Sequence, residues 1–318
     1  MEISPQNNID LKYSWYFLSI MTLSFAVSFI DRQVMTLLIE PIKSDLLIND
    51  TQVSLLIGFA FSIFYISMAI PIARLVDRGN RVNIISLGVF FWSLMTAVCG
   101  LAKNYWQLFL ARVGVGVGEA TLTPAVYSLI PDYFPKEKLG TAVGFYMLGM
   151  SFGTGFALVL GGAILSYVSN IGDIVFPIVG TLRPWQVTFV IVGLPGIFLA
   201  LLIKLSIKEP VRRNIFDNDS SSIDKTSLIS FLDNNKKTLS LITLAYSFGG
   251  MVFYGFLTWI PEHLRRAFDW DISNAGYVFG LMLAIFGSFG AVLGGKFHDY
   301  MFSKGYKDAP IRLSLIHI

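Results

Sequence analysis

Four ionisable residues stand in stretches that are otherwise apolar. Asp31 and Arg32 lie near the end of the first hydrophobic run, and Arg112 and Glu119 lie inside WQLFLARVGVGVGEATLTPAVYSLIP, Trp106 to Pro131. A charge at the centre of a bilayer costs roughly 2.5 to 3.5 kcal/mol on insertion scales, so such side chains pair with one another or line a watered path. The spacing from Arg112 to Glu119 is about two helical turns, or about 10 Å along the axis, which puts both on one face. Gly114, Gly116 and Gly118 keep that helix thin, as the close approach of another helix or a ligand requires. At about 1.5 Å per residue, Asp31 lies about 14 Å from the outer end of its helix and Arg112 about 9 Å from the outer start of its own, so their depths match. Glu119 is expected about 10 Å deeper, near mid-membrane.

The chemistry open to such a set is proton exchange. Arginine does not give up its proton, whereas a carboxylate withdrawn from water favours its neutral form unless a cation stands beside it. If Arg112 engages Asp31 in one conformation and Glu119 in another, each carboxylate is free to take a proton when unpaired. Proton binding is then coupled to conformation. The plainer reading is that the charges only lock the first helix to the fourth.

A membrane-spanning scaffold must position these residues, and the composition provides one. The 318 residues are 54% hydrophobic and 14% charged, with a mean hydropathy of +0.63, values that exclude a soluble domain of this size. Long hydrophobic runs mark eight expected spans: Tyr13 to Leu38, Thr51 to Ala73, Val82 to Ala102, Trp106 to Ile130, Leu139 to Val168, Pro184 to Leu205, Thr238 to Ile260 and Ser273 to Gly295. The net charge of +3 is dispersed among loops rather than massed on one face, which argues against nucleic acid as a partner. Cys99, the single cysteine, has no intrachain disulfide partner and is expected to pack. The N-terminus lacks a basic leader region and a small-residue cleavage site, so the first span is expected to be a retained helix.

The polar stretch from Ser206 to Lys237 separates the first six spans from the rest and reads as a linker. Leu228, Ile229, Phe231 and Leu232 within it have the spacing of a short interfacial amphipathic helix, with a disordered loop as the alternative. Placing the N-terminus in the cytoplasm puts seventeen of the 24 Lys and Arg on the inner side and five on the outer, as the positive-inside rule demands. The expected organisation is a six-helix bundle over residues 1–205, a cytoplasmic linker over 206–237 and a partial second bundle over 238–312. The last six residues, LSLIHI from Leu313 to Ile318, resemble translated adapter sequence and are expected to be non-native. The chain is then expected to be a fragment that does not transport by itself.

The turn after the second span reads ARLVDRGNR, with Asp77, Arg78 and Arg81 at the cytoplasmic side. It resembles the hallmark G-x-x-x-D-R-x-G-R-R loop of the major facilitator superfamily, departing from it at Ala73, Asn80 and Val82. Gly295 and Asp299 repeat the G-x-x-x-D element after the eighth span, at the equivalent place in a second six-helix unit. Within that superfamily the chain resembles the Spinster-type transporters from about Tyr13 to Arg312. The resemblance rests on the Asp31-Arg32 pair, the R-x6-E of Arg112 and Glu119, the DRGNR loop and the Lys208-Glu209-Pro210 exit from the sixth span. The anion:cation symporter family shares the first two features, so they do not separate the two families.

The resemblance implies an all-α polytopic fold of two six-helix bundles around a central cavity that opens alternately to each side. It implies proton-linked transport, with Asp31 and Glu119 as protonation sites and Arg112 between them. The expected partners are a small organic solute, anionic or amphipathic, together with protons and the bilayer of a plasma membrane, the protein acting as a monomer. Tyr65, Tyr127, Tyr246 and Tyr254 are candidates for the solute path, although aromatic residues within spans also serve packing. Asp77, Arg78, Arg81 and Asp299 are expected to form a gating loop. The glycines of the fifth span, Gly149, Gly153, Gly155, Gly161 and Gly162, point to close helix packing. No phosphate-binding loop, nucleophile with its base, or His and Cys metal spacing is present in the sequence, so no cofactor or metal is expected. A membrane-embedded enzyme and a channel remain as readings from other classes. An organic-acid carrier of the symporter type remains within the first.

Overall fold

The computed structural model describes residues 10–177, 180–212, 225–270 and 272–306. Among these, eight helices are long and apolar enough to cross a membrane. They are α1 (Leu11–Leu37), α2 (Asp50–Arg78), α3 (Arg81–Cys99), α4 (Tyr105–Tyr133), α5 (Leu139–Ile171), α6 (Pro184–Ser206), α7 (Lys236–Phe268) and α8 (Asn274–Ser303). The chain forms two compact units, Met1–Val211 with Gly276–Ile318 in one and Arg212–Ala275 in the other.

Side-chain caps fix where several helices begin. Asp10 accepts from the amides of Lys12 and Tyr13 at the start of α1, and Asn104 accepts from that of Gln107 at the start of α4. Asn80, which stands where the family loop carries glycine, accepts from the amide of Asn83 at 2.7 Å and caps α3. In the first unit α1 runs along α5, α3 along α6, and α4 contacts both α2 and α3. Trp92, Trp185, Phe17 and Met21 fill the shared core, while Leu87, Leu110, Phe198 and Leu205 remain on the outside. In water those outer residues would be a liability. Against lipid they are the required surface.

The helices extend beyond the hydrophobic runs that announce them. Backbone hydrogen bonding continues through polar residues, so α2 reaches Arg78 and α8 reaches Ser303. Of the residues expected to form the gating loop, Asp77, Arg78 and Asp299 lie in the terminal turns of helices and Arg81 begins α3, with Gly79 and Asn80 between α2 and α3. A two-stranded antiparallel hairpin between α5 and α6 was not anticipated. It pairs β1 (Ile174–Phe176) with β2 (Gly180–Leu182), Val175 facing Thr181. In the second unit a helix over Lys225–Asn234 covers the expected amphipathic segment, with Phe231 and Leu232 exposed. Residues 213–224 of the linker and the tail 313–318 lie outside the described residues.

Two helices carry a turn of π-helix, α2 at Leu55–Phe59 and α8 at Leu283–Gly287. A third interruption falls at the site itself: α4 consists of Tyr105–Glu119 and Leu122–Tyr133, joined by a turn at Ala120 and Thr121. Such breaks are where membrane helices release backbone and side chains for function.

Candidate functional site

Asp31, Arg112 and Glu119 are buried together in the first unit, and Arg32 is partly exposed beside them. The glycines of α4 make this proximity possible. A Cβ on Gly118 would stand 2.8 Å from the backbone nitrogen of Trp92 in α3, and one on Gly116 would press into the backbone of Phe61 in α2. Glycine at these two positions lets three helices close around the charges.

The pairing differs from the one that spacing suggests. Glu119 Oε2 accepts from Arg32 Nε at 2.6 Å and also meets Arg32 Nη2, so the cation that neutralises it comes from α1. Arg112, although on the same helix face as Glu119, holds neither carboxylate. Its Nε and Nη1 have no hydrogen-bond partner among the described residues, and its guanidinium lies 5.6 Å from the centroid of the Phe61 ring. Asp31 accepts from Thr96 Oγ1 at 3.3 Å through one oxygen, and its other oxygen is unpartnered among the described residues, as is Glu119 Oε1. The fixed axial spacing from Arg112 to Glu119 explains the outcome. Residues two turns apart share a face but not a contact, whereas Arg32 can reach across from a neighbouring helix.

Arg32 also lies among aromatic rings, 4.8 Å from the centroid of Phe29, 4.6 Å from Phe61 and 5.3 Å from Tyr65. A guanidinium in this setting gains from the ring faces and from the carboxylate together. Tyr65 is thus brought to the charge cluster. Tyr127 packs edge-on against Tyr146 at 5.8 Å, and Tyr146 stacks on Phe25 at 4.6 Å. Tyr246 and Tyr254, in the second unit, are exposed side chains of α7.

At the start of α1 and the ends of its neighbours a second polar cluster ties four segments. Arg81 donates to Asp132 Oδ2 at 2.5 Å, to Glu209 Oε1 at 2.6 Å and to the carbonyl of Ser128 at 3.0 Å. Glu209 Oε2 in turn accepts from the amide of Val82. The backbone just before it is held by two tyrosines: Tyr133 donates its hydroxyl to the carbonyl of Lys208, and the amide of Lys208 donates to Tyr13 Oη. Asp299 has a different role. Its carboxylate accepts from the amides of Gly140 at 3.0 Å and Thr141 at 2.7 Å and from the Thr141 hydroxyl, which caps the start of α5. Asp77 and Arg78 are exposed at the end of α2.

Residues 21–309 match the family model described as Major Facilitator Superfamily. The chain belongs to the Major Facilitator Superfamily. Its fold matches the crystal structure of a bacterial homolog to the human lysosomal transporter Spinster, inward-facing and unoccupied, with a TM-score of 0.74 and 34% identity over 96% of this chain and 64% of that one. It is 27% identical to an MFS-type efflux pump of Mycolicibacterium smegmatis, over 93% of this chain and 67% of that protein. It is also 26% identical to a probable L-galactonate transporter of Escherichia coli, over 90% of this chain and 61% of that protein. The facilitator chain described here therefore spans about two thirds of the length of these proteins. It is Spinster-like and multi-pass.

Sequence reasoning missed the cation that Glu119 uses, and it missed Asp132, Tyr13 and Tyr133. Asp132 had a visible signal, a carboxylate two residues past the end of an apolar span. The tyrosines had none, because an aromatic residue in a membrane helix looks the same whether it packs or donates.

Proposed function

We propose that this facilitator is a proton-coupled secondary carrier of a small organic solute, anionic or amphipathic, working by alternating access as a monomer. The observation that carries the reading is the arrangement of Asp31, Arg112, Arg32 and Glu119: two buried carboxylates, one bound to an arginine and one not, beside a second arginine with nitrogens unsatisfied. Four formal charges that balance in sign but are unequally paired can exchange partners, and a proton on either carboxylate changes which exchange is favoured. Arg32, partly exposed among aromatic rings, is the group suited to meet an anionic or amphipathic solute. The named relatives are carriers rather than enzymes, and one is described as handling an acid sugar. The excess of basic residues on alternate loops supports a plasma-membrane placement with the N-terminus inside.

The test, run on the protein extended to the full length of its relatives, is uptake of labelled L-galactonate, and separately of a lysophospholipid, into proteoliposomes with and without an imposed pH gradient. Glu119→Gln is expected to abolish the acceleration by the gradient while solute exchange at equal pH persists. Gradient dependence unchanged by that substitution would reject the coupling role of Glu119.

A further inference from the structure

Tyr146 is a large polar side chain near the charge cluster that no motif accounts for. Its side chain is fully buried on α5, stacked on Phe25 and met edge-on by Tyr127, and its hydroxyl has no hydrogen-bond partner among the described residues. Thr123 lies beside it without hydrogen-bonding geometry, and Tyr65, Tyr127 and Arg32 are close enough to interact with it electrostatically. A buried O–H without a partner is costly, and a phenylalanine would pack the same ring without that cost. Tyr127, which covers one side of the ring, is 40% exposed, and its own hydroxyl reaches the sulfur of Met147 at 3.8 Å.

Building on the carrier reading, we infer that Tyr146 is a specificity residue of the solute site, a fixed phenol that hydrogen-bonds a hydroxyl of a polyhydroxy acid once Tyr127 swings aside. Arg32 then meets the negative end of the solute and Tyr146 meets a polar group further along it. A solute of matching length but without hydroxyl groups gains from Arg32 alone. This selectivity resides wholly in the first unit. It concerns which anion binds, and leaves proton coupling to Asp31 and Glu119.

The experiment measures binding of L-galactonate and of hexanoate, its hydroxyl-free counterpart, to the purified protein in nanodiscs by calorimetry. Binding of L-galactonate to the unaltered protein tests the carrier reading, and the Tyr146→Phe variant tests the inference. Tyr146→Phe is expected to weaken L-galactonate about tenfold and to leave hexanoate unchanged, with thermal stability equal or slightly higher because the ring packing is retained. Equal affinity of variant and parent for L-galactonate would overturn the inference while leaving the carrier reading standing. As a second route, Tyr127→Ala is expected to expose Tyr146 to nitration by tetranitromethane, with protection by L-galactonate but not by hexanoate. Nitration that L-galactonate does not slow would also overturn it.

Discussion

A single residue decides how the charge cluster is wired. Arg112 is expected to engage Asp31 in one conformation and Glu119 in another, yet in this structure Arg32 reaches Glu119 from α1 with two nitrogens, and Arg112 lies over Phe61. Which residues gather in the cluster was legible from rarity alone, since a bilayer penalises every charge it encloses. Who binds whom was not, because that depends on side-chain reach between helices whose rotation the sequence does not state. The wiring makes a measurable prediction. Arg32→Ala strands the buried Glu119 carboxylate and is expected to lower the unfolding free energy in detergent by about 3 kcal/mol, at the low end for a buried pair because Arg32 is partly exposed. Arg32→Met combined with Glu119→Leu is expected to recover most of that loss. A cycle with no coupling between the two positions would mean that Arg112 takes over when Arg32 is absent.

Elements announced themselves by their hydrophobic runs, and all eight spans were readable for that reason. Their polar ends were not readable, since helix termination depends on caps and backbone hydrogen bonds rather than on hydropathy. Asn80 illustrates the point: as a departure from the family loop it looked like a weakness in the match, whereas it caps α3. The hairpin of β1 and β2 was hidden by its brevity, three residues on each side. Asp299 gives the prediction that belongs to this scale. It occupies the N-terminus of α5, with His298 Nδ1 3.2 Å from one of its oxygens. Caps of this kind contribute about 1 kcal/mol, and a charged one at the positive end of a helix dipole adds to that. Asp299→Ala is therefore expected to speed hydrogen exchange at the Gly140 and Thr141 amides about tenfold, with Asp299→Asn in between. Unchanged exchange at those two amides would show that the cap contributes nothing in solution.

At the scale of the molecule the Arg81 cluster joins the starts of α1 and α3, the end of α4 and the exit from α6. Arg81 is almost fully buried and holds two carboxylates, from Asp132 and Glu209, while Tyr13 and Tyr133 hold the backbone of Lys208. The superfamily loop marked Arg81 and the Spinster-type resemblance marked the Lys-Glu-Pro exit, but their contact spans 128 positions of sequence and follows only from the fold. A protease must draw several residues of backbone into an extended strand, which this double hold on Lys208 opposes. The side chain of Lys208 itself is exposed, so tryptic cleavage of the Lys208-Glu209 bond reports how often the exit peels away from the bundle. Lysine at position 81 keeps the charge but lacks the forked donors that serve both carboxylates and the Ser128 carbonyl at once. Arg81→Lys is accordingly expected to raise the cleavage rate at Lys208 about tenfold or more, and Tyr133→Phe, which removes one hydrogen bond worth about 1 kcal/mol, about fivefold. Because both substitutions act on one strap, their effects in the double variant are expected to fall short of the product of the single ones. Rates that multiply fully would instead mean that the arginine and the tyrosine hold the exit from α6 independently.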